Sequence, residues 1–228
     1  MELNLHGYKL TGLISPHVGN LSYMRNFNLG DNNFYKNWDN CHNCNNSIEN
    51  NSLVGEILSN LTGCTHLEHL YIDGNDLIAK IPIEIGSLWK LQHLFIYENQ
   101  LTGGIPSFIG NLSSLTLLRV GSNNLEGDIL QEICRPKSLT MISLHINKLN
   151  GTFPPCLYVM SSLTIISVAA NQLNDSLPPN MFHALPNLEV LAIGDNEISA
   201  PVPPSIEMHI IFQYLISIET IFLEKFQV

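Results

Sequence analysis

The sequence predicts an α/β-type solenoid, a right-handed superhelix with a parallel concave sheet of about nine short strands. Three observations predict it: an Asn that recurs at a nearly fixed interval, apolar positions that recur with it, and an alternation of faces just before each Asn. Asn stands at Asn32, Asn51, Asn75, Asn99, Asn123, Asn147, Asn171 and Asn196, with Tyr8 in the equivalent place at the start. The spacing is 24 throughout, except for 19 between Asn32 and Asn51 and 25 between Asn171 and Asn196. Self-similarity at such a period marks a coil of stacked turns. A length of 228 residues would suit one domain or two, so the repeat decides the organisation.

Each turn opens on a short strand. Before Asn75 the apolar residues are Leu67, Leu70 and Ile72, and before Asn99 they are Leu91, Leu94 and Ile96. The last two of each set are two apart, the period at which strand side chains return to one face. After the Asn that period is lost, as it must be where the chain turns a corner: Leu77, Ile81, Ile85 and Leu88 follow Asn75, and Leu101, Ile105, Ile109 and Leu112 follow Asn99. One strand and one loop cannot bury seven apolar side chains alone, whereas stacked turns cover one another. The Asn has its own reason to recur, because its amide both donates and accepts and can satisfy backbone groups buried in a tight inward corner.

The unit resembles the plant-specific leucine-rich repeat LxxLxLxxNxLxGxIPxxLGN, most plainly in "LQHLFIYENQLTGGIPSFIGNLSSL" from Leu91, and the resemblance extends over about 200 of the 228 residues. The stretch "LTGLISPHVGNLSYMRNFNLGDNNF" from Leu10 is similar to the first repeats of plant receptor-like Ser/Thr kinases, the group that includes the flagellin receptor and the rice bacterial-blight resistance receptor. The resemblance implies the extracellular repeat domain of such a receptor, active in signalling or defence perception. A peptide or protein would be its ligand, with a co-receptor as a possible second partner, and the kinase itself lies outside this chain. Two alternatives fit the same residues: a soluble inhibitor resembling the polygalacturonase-inhibiting repeat proteins, and a truncated gene product without function.

The pattern has breaks. The repeat solenoid is expected over 1–206, with an irregular segment at 35–47 where "YKNWDNCHNC" lacks the Gly-x-Ile-Pro element, and with 207–228 as a degenerate tail or makeshift cap. Leu58 and Leu130 replace the Pro of that element, and Ala79, Asp175 and Ala200 replace its first Gly. No signal peptide is expected at Met1, and Ile210–Ile218, interrupted by Gln213 and Ser217, is too short to span a bilayer. In the parent receptor, such a domain would lie on the extracellular face of the plasma membrane.

Charge excludes several partners. A net charge of −10 with ten Lys plus Arg leaves no basic surface for phosphates, so neither nucleic acid nor a membrane contact by this chain is expected. Charged residues are only 13% of the chain, about half the usual share, and Asn fills much of the gap. Seven Asn-x-Ser/Thr glycan acceptor sequences start at Asn20, Asn45, Asn50, Asn60, Asn111, Asn150 and Asn174.

No catalytic constellation is present: there is no phosphate loop, kinase catalytic-loop pattern, G-x-S-x-G or H-E-x-x-H, and no cofactor is expected. Cys41-x-x-Cys44, with His42 and Cys64, is compatible with a metal site, a local disulfide or no special role; the second pair that a metal would want is missing, and no metal is expected. Cys64, Cys134 and Cys156 fall near apolar repeat positions and are expected to fill the core.

The positions six, four and two before each repeat Asn point onto the concave face. The first row runs Asn26, Asn45, His69, His93, Leu117, Met141, Ile165, Val190, and the second Asn28, Ser47, Tyr71, Phe95, Arg119, Ser143, Ser167, Ala192. The third is Gly30, Glu49, Asp73, Tyr97, Gly121, His145, Ala169, Gly194. His69, Tyr71, Asp73, His93, Phe95, Tyr97 and Arg119 are therefore the expected ligand-binding residues, exposed together on adjacent strands about 4.8 Å apart. Aromatics and Arg dominate binding hot spots, although cross-strand pairing alone also favours aromatics on sheets. With unperturbed histidines titrating near pH 6.5, mild acid is expected to charge His69 and His93 and alter the patch.

Overall fold

The structure, a computed structural model, describes residues 1–30, 52–57, 59–174 and 176–198. Asn32, Asn51, the segment 35–47 with Cys41 and Cys44, the acceptor residues Asn45 and Asn50, and the tail 207–228 lie outside the described residues.

Strands are numbered β1–β15 along the chain. Eight of them form the inner, concave sheet: β1 (Glu2–Asn4), β3 (Asn26–Asn28), β5 (His69–Tyr71), β7 (His93–Phe95), β9 (Leu117–Arg119), β11 (Met141–Ser143), β13 (Ile165–Ser167) and β15 (Val190–Ala192). Each is hydrogen-bonded in parallel to the next, with one residue of each turn opposite its repeat equivalent, as in His69↔His93↔Leu117. The element after each Asn builds two outer parallel sheets. One holds β2 (Thr11–Leu13), β4 (Ser52–Glu56) and β6 (Asp76–Ile78); the other holds β8 (Thr102–Gly103), β10 (Asn124–Asp128), β12 (Lys148–Gly151) and β14 (Gln172–Leu173). A single bridge, Lys80↔Thr102, joins their edges.

Short 3-10 helices line the convex side at Pro16–Asn20, Ser59–Gly63, Ile83–Ser87, Ser107–Asn111, Gln131–Cys134 and Pro155–Val159, with one turn of α-helix at Met181–Ala184. Pro82, Pro106 and Pro154 stand immediately before three of them in extended conformation. The ring presets φ there and removes a donor that no ladder needs. The core lies between the inner sheet and these helices, and all fourteen apolar positions named above for the Asn75 and Asn99 units are at most 4% exposed. Each such side chain contributes roughly 1.5–3 kcal/mol by leaving water.

The recurring Asn residues knit adjacent turns. Oδ1 of Asn99 accepts from the Leu77 amide in the turn before, while Nδ2 donates to the carbonyls of Ile72, Ile96 and Tyr97. Asn75, Asn123, Asn147, Asn171 and Asn196 repeat this pattern, each holding one backbone amide and three carbonyls. The residue just before each ladder Asn is left-handed, with φ of 62° at Gly74, 55° at Glu98, 50° at Ser122, 52° at Ile146, 54° at Ala170 and 53° at Asp195. Four residues after the Asn a second left-handed position is filled by Gly55, Gly103, Gly127 and Gly151, and by Ala79 at φ 70° in the one described turn that departs from the motif.

Two expectations are corrected. β3 pairs directly with β5, Asn26 opposite His69, so the intervals of 19 and 24 flanking Asn51 belong to one long turn. No strand stands between those two; Asn45, Ser47 and Glu49 lie outside the described residues. Cys134 and Cys156 do not simply fill the core: they form a disulfide between the convex segments of consecutive turns. The two residues are 22 apart, close to the repeat period, which brings them side by side. Cys64 is fully buried as a free thiol, donates to the Val18 carbonyl at 3.3 Å, and has its pKa raised by burial.

Candidate ligand-binding site on the concave face

The inner sheet brings His69, Tyr71, His93 and Phe95 into one ring cluster, with Tyr97 beside it across Arg119. His69 stacks on His93 with centroids 4.3 Å apart, Tyr71 tilts against Phe95 at 4.8 Å, and the Tyr71 hydroxyl is hydrogen-bonded to Nδ1 of His93 at 2.6 Å. His69 Nδ1 is hydrogen-bonded to Asn26 Oδ1 on the preceding strand. These rings are half-buried, covering one another. Arg119 and Asp73 are not the exposed groups expected: they are 5% and 4% exposed. The Arg119 guanidinium lies 5.0 Å from the Phe95 ring centre and 5.2 Å from that of Tyr97, so its charge supports the aromatic surface from within. Tyr97 continues the cluster to His145 at 5.5 Å.

Burial also corrects the expected titration. His93 is pushed down to about 4, first by desolvation and then by neighbouring His69. His145 is likewise lowered to about 4 by desolvation and by Arg119. His69 is lowered by burial, against the opposing pull of Glu68 and Glu2. His93 and His145 are therefore neutral through mild acid, and a paired charging of His69 and His93 near pH 6.5 does not occur.

Beyond β9 the face changes character. The first row becomes Leu117, Met141, Ile165 and Val190, opposite one another in register and half-buried. The second becomes the small, buried Ser143, Ser167 and Ala192. His145 Nδ1 lies 3.0 Å from Ser143 Oγ and 3.3 Å from Ser167 Oγ. Sequence reasoning placed this aliphatic run on the correct face but did not select it as a site; its unbroken aliphatic character was the available signal.

Comparison with known proteins follows from this geometry. Residues 66–88 and 90–112 match the family model described as Leucine Rich Repeat. The chain is a leucine-rich-repeat solenoid. A stretch of 34 residues, 15% of this chain, is 62% identical to the LRR receptor-like serine/threonine-protein kinase EFR of Arabidopsis thaliana, and covers 3% of that protein. Among solved structures, the solenoid is similar to a TDR receptor, with TM-score 0.75 and 27% identity over 86% of this chain and 30% of that one. It is similar to the plant peptide hormone receptor RGFR1, solved in complex with RGF2, at 0.73 and 28%, covering 87% and 28% of the two chains. The ectodomain of the Arabidopsis receptor kinase HAESA, solved with an IDA peptide hormone ligand, matches at 0.70 and 25%, covering 87% and 35%. This leucine-rich-repeat chain thus spans about a third of the length of the solved receptors it resembles.

The glycan acceptor sequences among the described residues avoid the inner sheet. Asn20, Asn60 and Asn111 lie in convex 3-10 helices, Asn150 lies in β12 and Asn174 directly follows β14. All five are exposed, so a glycan on any of them would leave the concave face open. Among the described residues, no group of three or more His, Cys, Asp or Glu side chains is placed to hold a metal, and no helix is long and apolar enough to cross a membrane.

Proposed function

We propose that this chain is a ligand-binding segment of a plant receptor, working in signalling or defence perception at the extracellular face of the plasma membrane. It takes a peptide or protein ligand on its concave sheet, with a co-receptor as second partner, and it binds without catalysing. The observation that carries this reading is the ring cluster of His69, Tyr71, His93 and Phe95 on adjacent strands, joined to Tyr97 through the buried Arg119 cation. Amphipathic rings held rigid by one another provide contact area at little cost in conformational entropy. The ligand complexes of the similar receptors RGFR1 and HAESA support it, as do the disulfide and the exposed acceptor sequences, which suit a secreted chain. A random-peptide phage library selected on the immobilised chain tests the proposal. Selected clones are expected to lose about tenfold or more in affinity on Tyr71→Ala and His93→Ala variants whose circular dichroism is unchanged. Clones that bind these variants as well as the parent would overturn it.

A further inference from the structure

We infer that His69 and His93 form a site on the concave face for one divalent transition-metal ion, of the zinc or copper(II) kind. The two imidazoles stand opposite one another on β5 and β7 and stack with ring centres 4.3 Å apart. Their hydrogen bonds leave a nitrogen of each ring to the ion. Asn26 Nδ2 donates to the Glu2 carboxylate, which can only accept, so Asn26 presents its Oδ1 to His69 and accepts from the Nδ1–H of that ring. His69 Nε2 is then the nitrogen with the lone pair. Nδ1 of His93 is likewise engaged, by the Tyr71 hydroxyl at 2.6 Å, and its Nε2 has no hydrogen-bond partner among the described residues. A histidine held at Nδ1 by a protein oxygen and offering Nε2 is the arrangement that supports metal ligation, because the bond fixes the ring and its tautomer and raises its basicity. The chain from Glu2 through Asn26 to His69 does both.

Geometry and charge fit such an ion. Held tetrahedrally at about 2.0–2.1 Å from each nitrogen, it keeps the two nitrogens about 3.4 Å apart. The rings, inclined at 27°, must splay further for both lone pairs to aim at one point, and the broad χ2 torsion of histidine allows it. A third donor stands beside them: the side chain of Gln92 is hydrogen-bonded to His69 and can turn its amide oxygen to the ion. Glu68 and Glu2 act electrostatically on His69 and favour a cation there, although Arg25, 3.7 Å from Glu68, offsets part of that charge. Imidazole nitrogens select zinc, copper or nickel over magnesium and calcium, which want oxygen. With two imidazoles and one amide the ion keeps an open position, so it exchanges, and it can take a further donor from water or from a bound ligand. These donors are separate from Cys41-x-x-Cys44, and the site stands whether or not a peptide binds the face.

The test titrates the full chain, its thiols blocked with iodoacetamide, with zinc chloride or copper(II) chloride alone, followed by calorimetry and electron paramagnetic resonance. The parent is expected to bind one ion per chain at least about tenfold more tightly than His69→Gln and His93→Gln, and its copper spectrum should carry splitting from two nitrogens. Asn26→Ala keeps both imidazoles and should weaken the ion about tenfold by releasing the His69 ring. His17→Gln, in an exposed convex helix, should change nothing, and magnesium chloride should not compete. Circular dichroism checks the folding of each variant. Equal affinity in the parent and both histidine variants would overturn the inference, as would a loss confined to one of them. Where a variant does not fold, the copper spectrum of the parent decides, and splitting from one nitrogen or none would overturn it. Such a failure leaves the peptide reading standing, because the phage selection needs no metal.

Discussion

Replacing Asn99 by Leu removes a polar group that the backbone of two turns depends on, and the cost can be worked out bond by bond. Asn99 is 8% exposed; its Oδ1 accepts from the Leu77 amide at 3.0 Å, and its Nδ2 donates to the carbonyls of Ile72, Ile96 and Tyr97 at 3.0, 3.2 and 3.2 Å. The Tyr97 carbonyl also accepts from the Gly74 amide and keeps that partner. The Leu77 amide, buried and unpaired, then costs about 1–3 kcal/mol, whereas the Ile72 and Ile96 carbonyls keep Asn75 Nδ2 and Asn123 Nδ2 as donors and lose about 0.5 kcal/mol each. Leu branches at the same carbon as Asn and is larger, so no cavity forms, and its added apolar surface returns about 1 kcal/mol. The net loss is about 1–3 kcal/mol. Asn111→Leu is the control, because Asn111 is exposed at the end of a 3-10 helix, and it should change stability by less than about 0.5 kcal/mol. Urea unfolding followed by tryptophan fluorescence and far-ultraviolet circular dichroism measures both, and coincidence of the probes checks that the solenoid melts as one unit. Losses within about 0.5 kcal/mol of one another would refute the role assigned to the ladder amide.

Three further outcomes are expected. Cys156→Ser should destabilise the chain by about 3 kcal/mol, since the bond closes a loop of 22 residues, and reductant should lower the melting temperature of the parent but not of the variant; a parent indifferent to reductant would refute this. Ala79→Gly should raise stability by a few tenths to about 1 kcal/mol, because Ala is held at φ 70° where Gly is unstrained; a loss in urea unfolding would show that the left-handed position costs Ala nothing. Folded His93 and His145 protonate near 4, below the ordinary 6.5, so unfolding takes up protons between these limits: their contribution is whole above about pH 6.5 and is lost as pH falls toward 4. The double variant His93→Gln, His145→Gln should flatten the stability–pH curve in that window, and an unaltered slope would dismiss the account.

The parts of the fold legible in the sequence are those set by period. Leu70, Ile72 and Asn75 recur because every turn solves the same burial problem, so one unit predicts the rest. Turn count was less legible. Asn32 and Asn51 both carry the right residue type, and only the pairing of Asn26 with His69 shows that a single turn is drawn out between them. The disulfide was hidden for a related reason: Cys134 and Cys156 sit at different offsets from their repeat Asn, and proximity arises only once consecutive turns are stacked. Ala79 read as a mild departure from Gly, although its backbone keeps the glycine conformation and bears the strain.

The site divides along the same line. Strand alternation correctly names the side of the sheet on which His69, Tyr71, His93, Phe95 and Tyr97 emerge, but it carries no information on depth. Depth depends on what each side chain finds across the strand. Arg119 is long enough to fold beneath two rings, and Asp73 lies close over Gly30, which has no side chain to hold it away. Depth then sets charge: the histidines that alternation alone would leave exposed and titrating in mild acid are desolvated by their neighbours and held neutral. An acid response of the binding face, if one is measured, must therefore come from the carboxylates on its rim or from the ligand before it comes from His93.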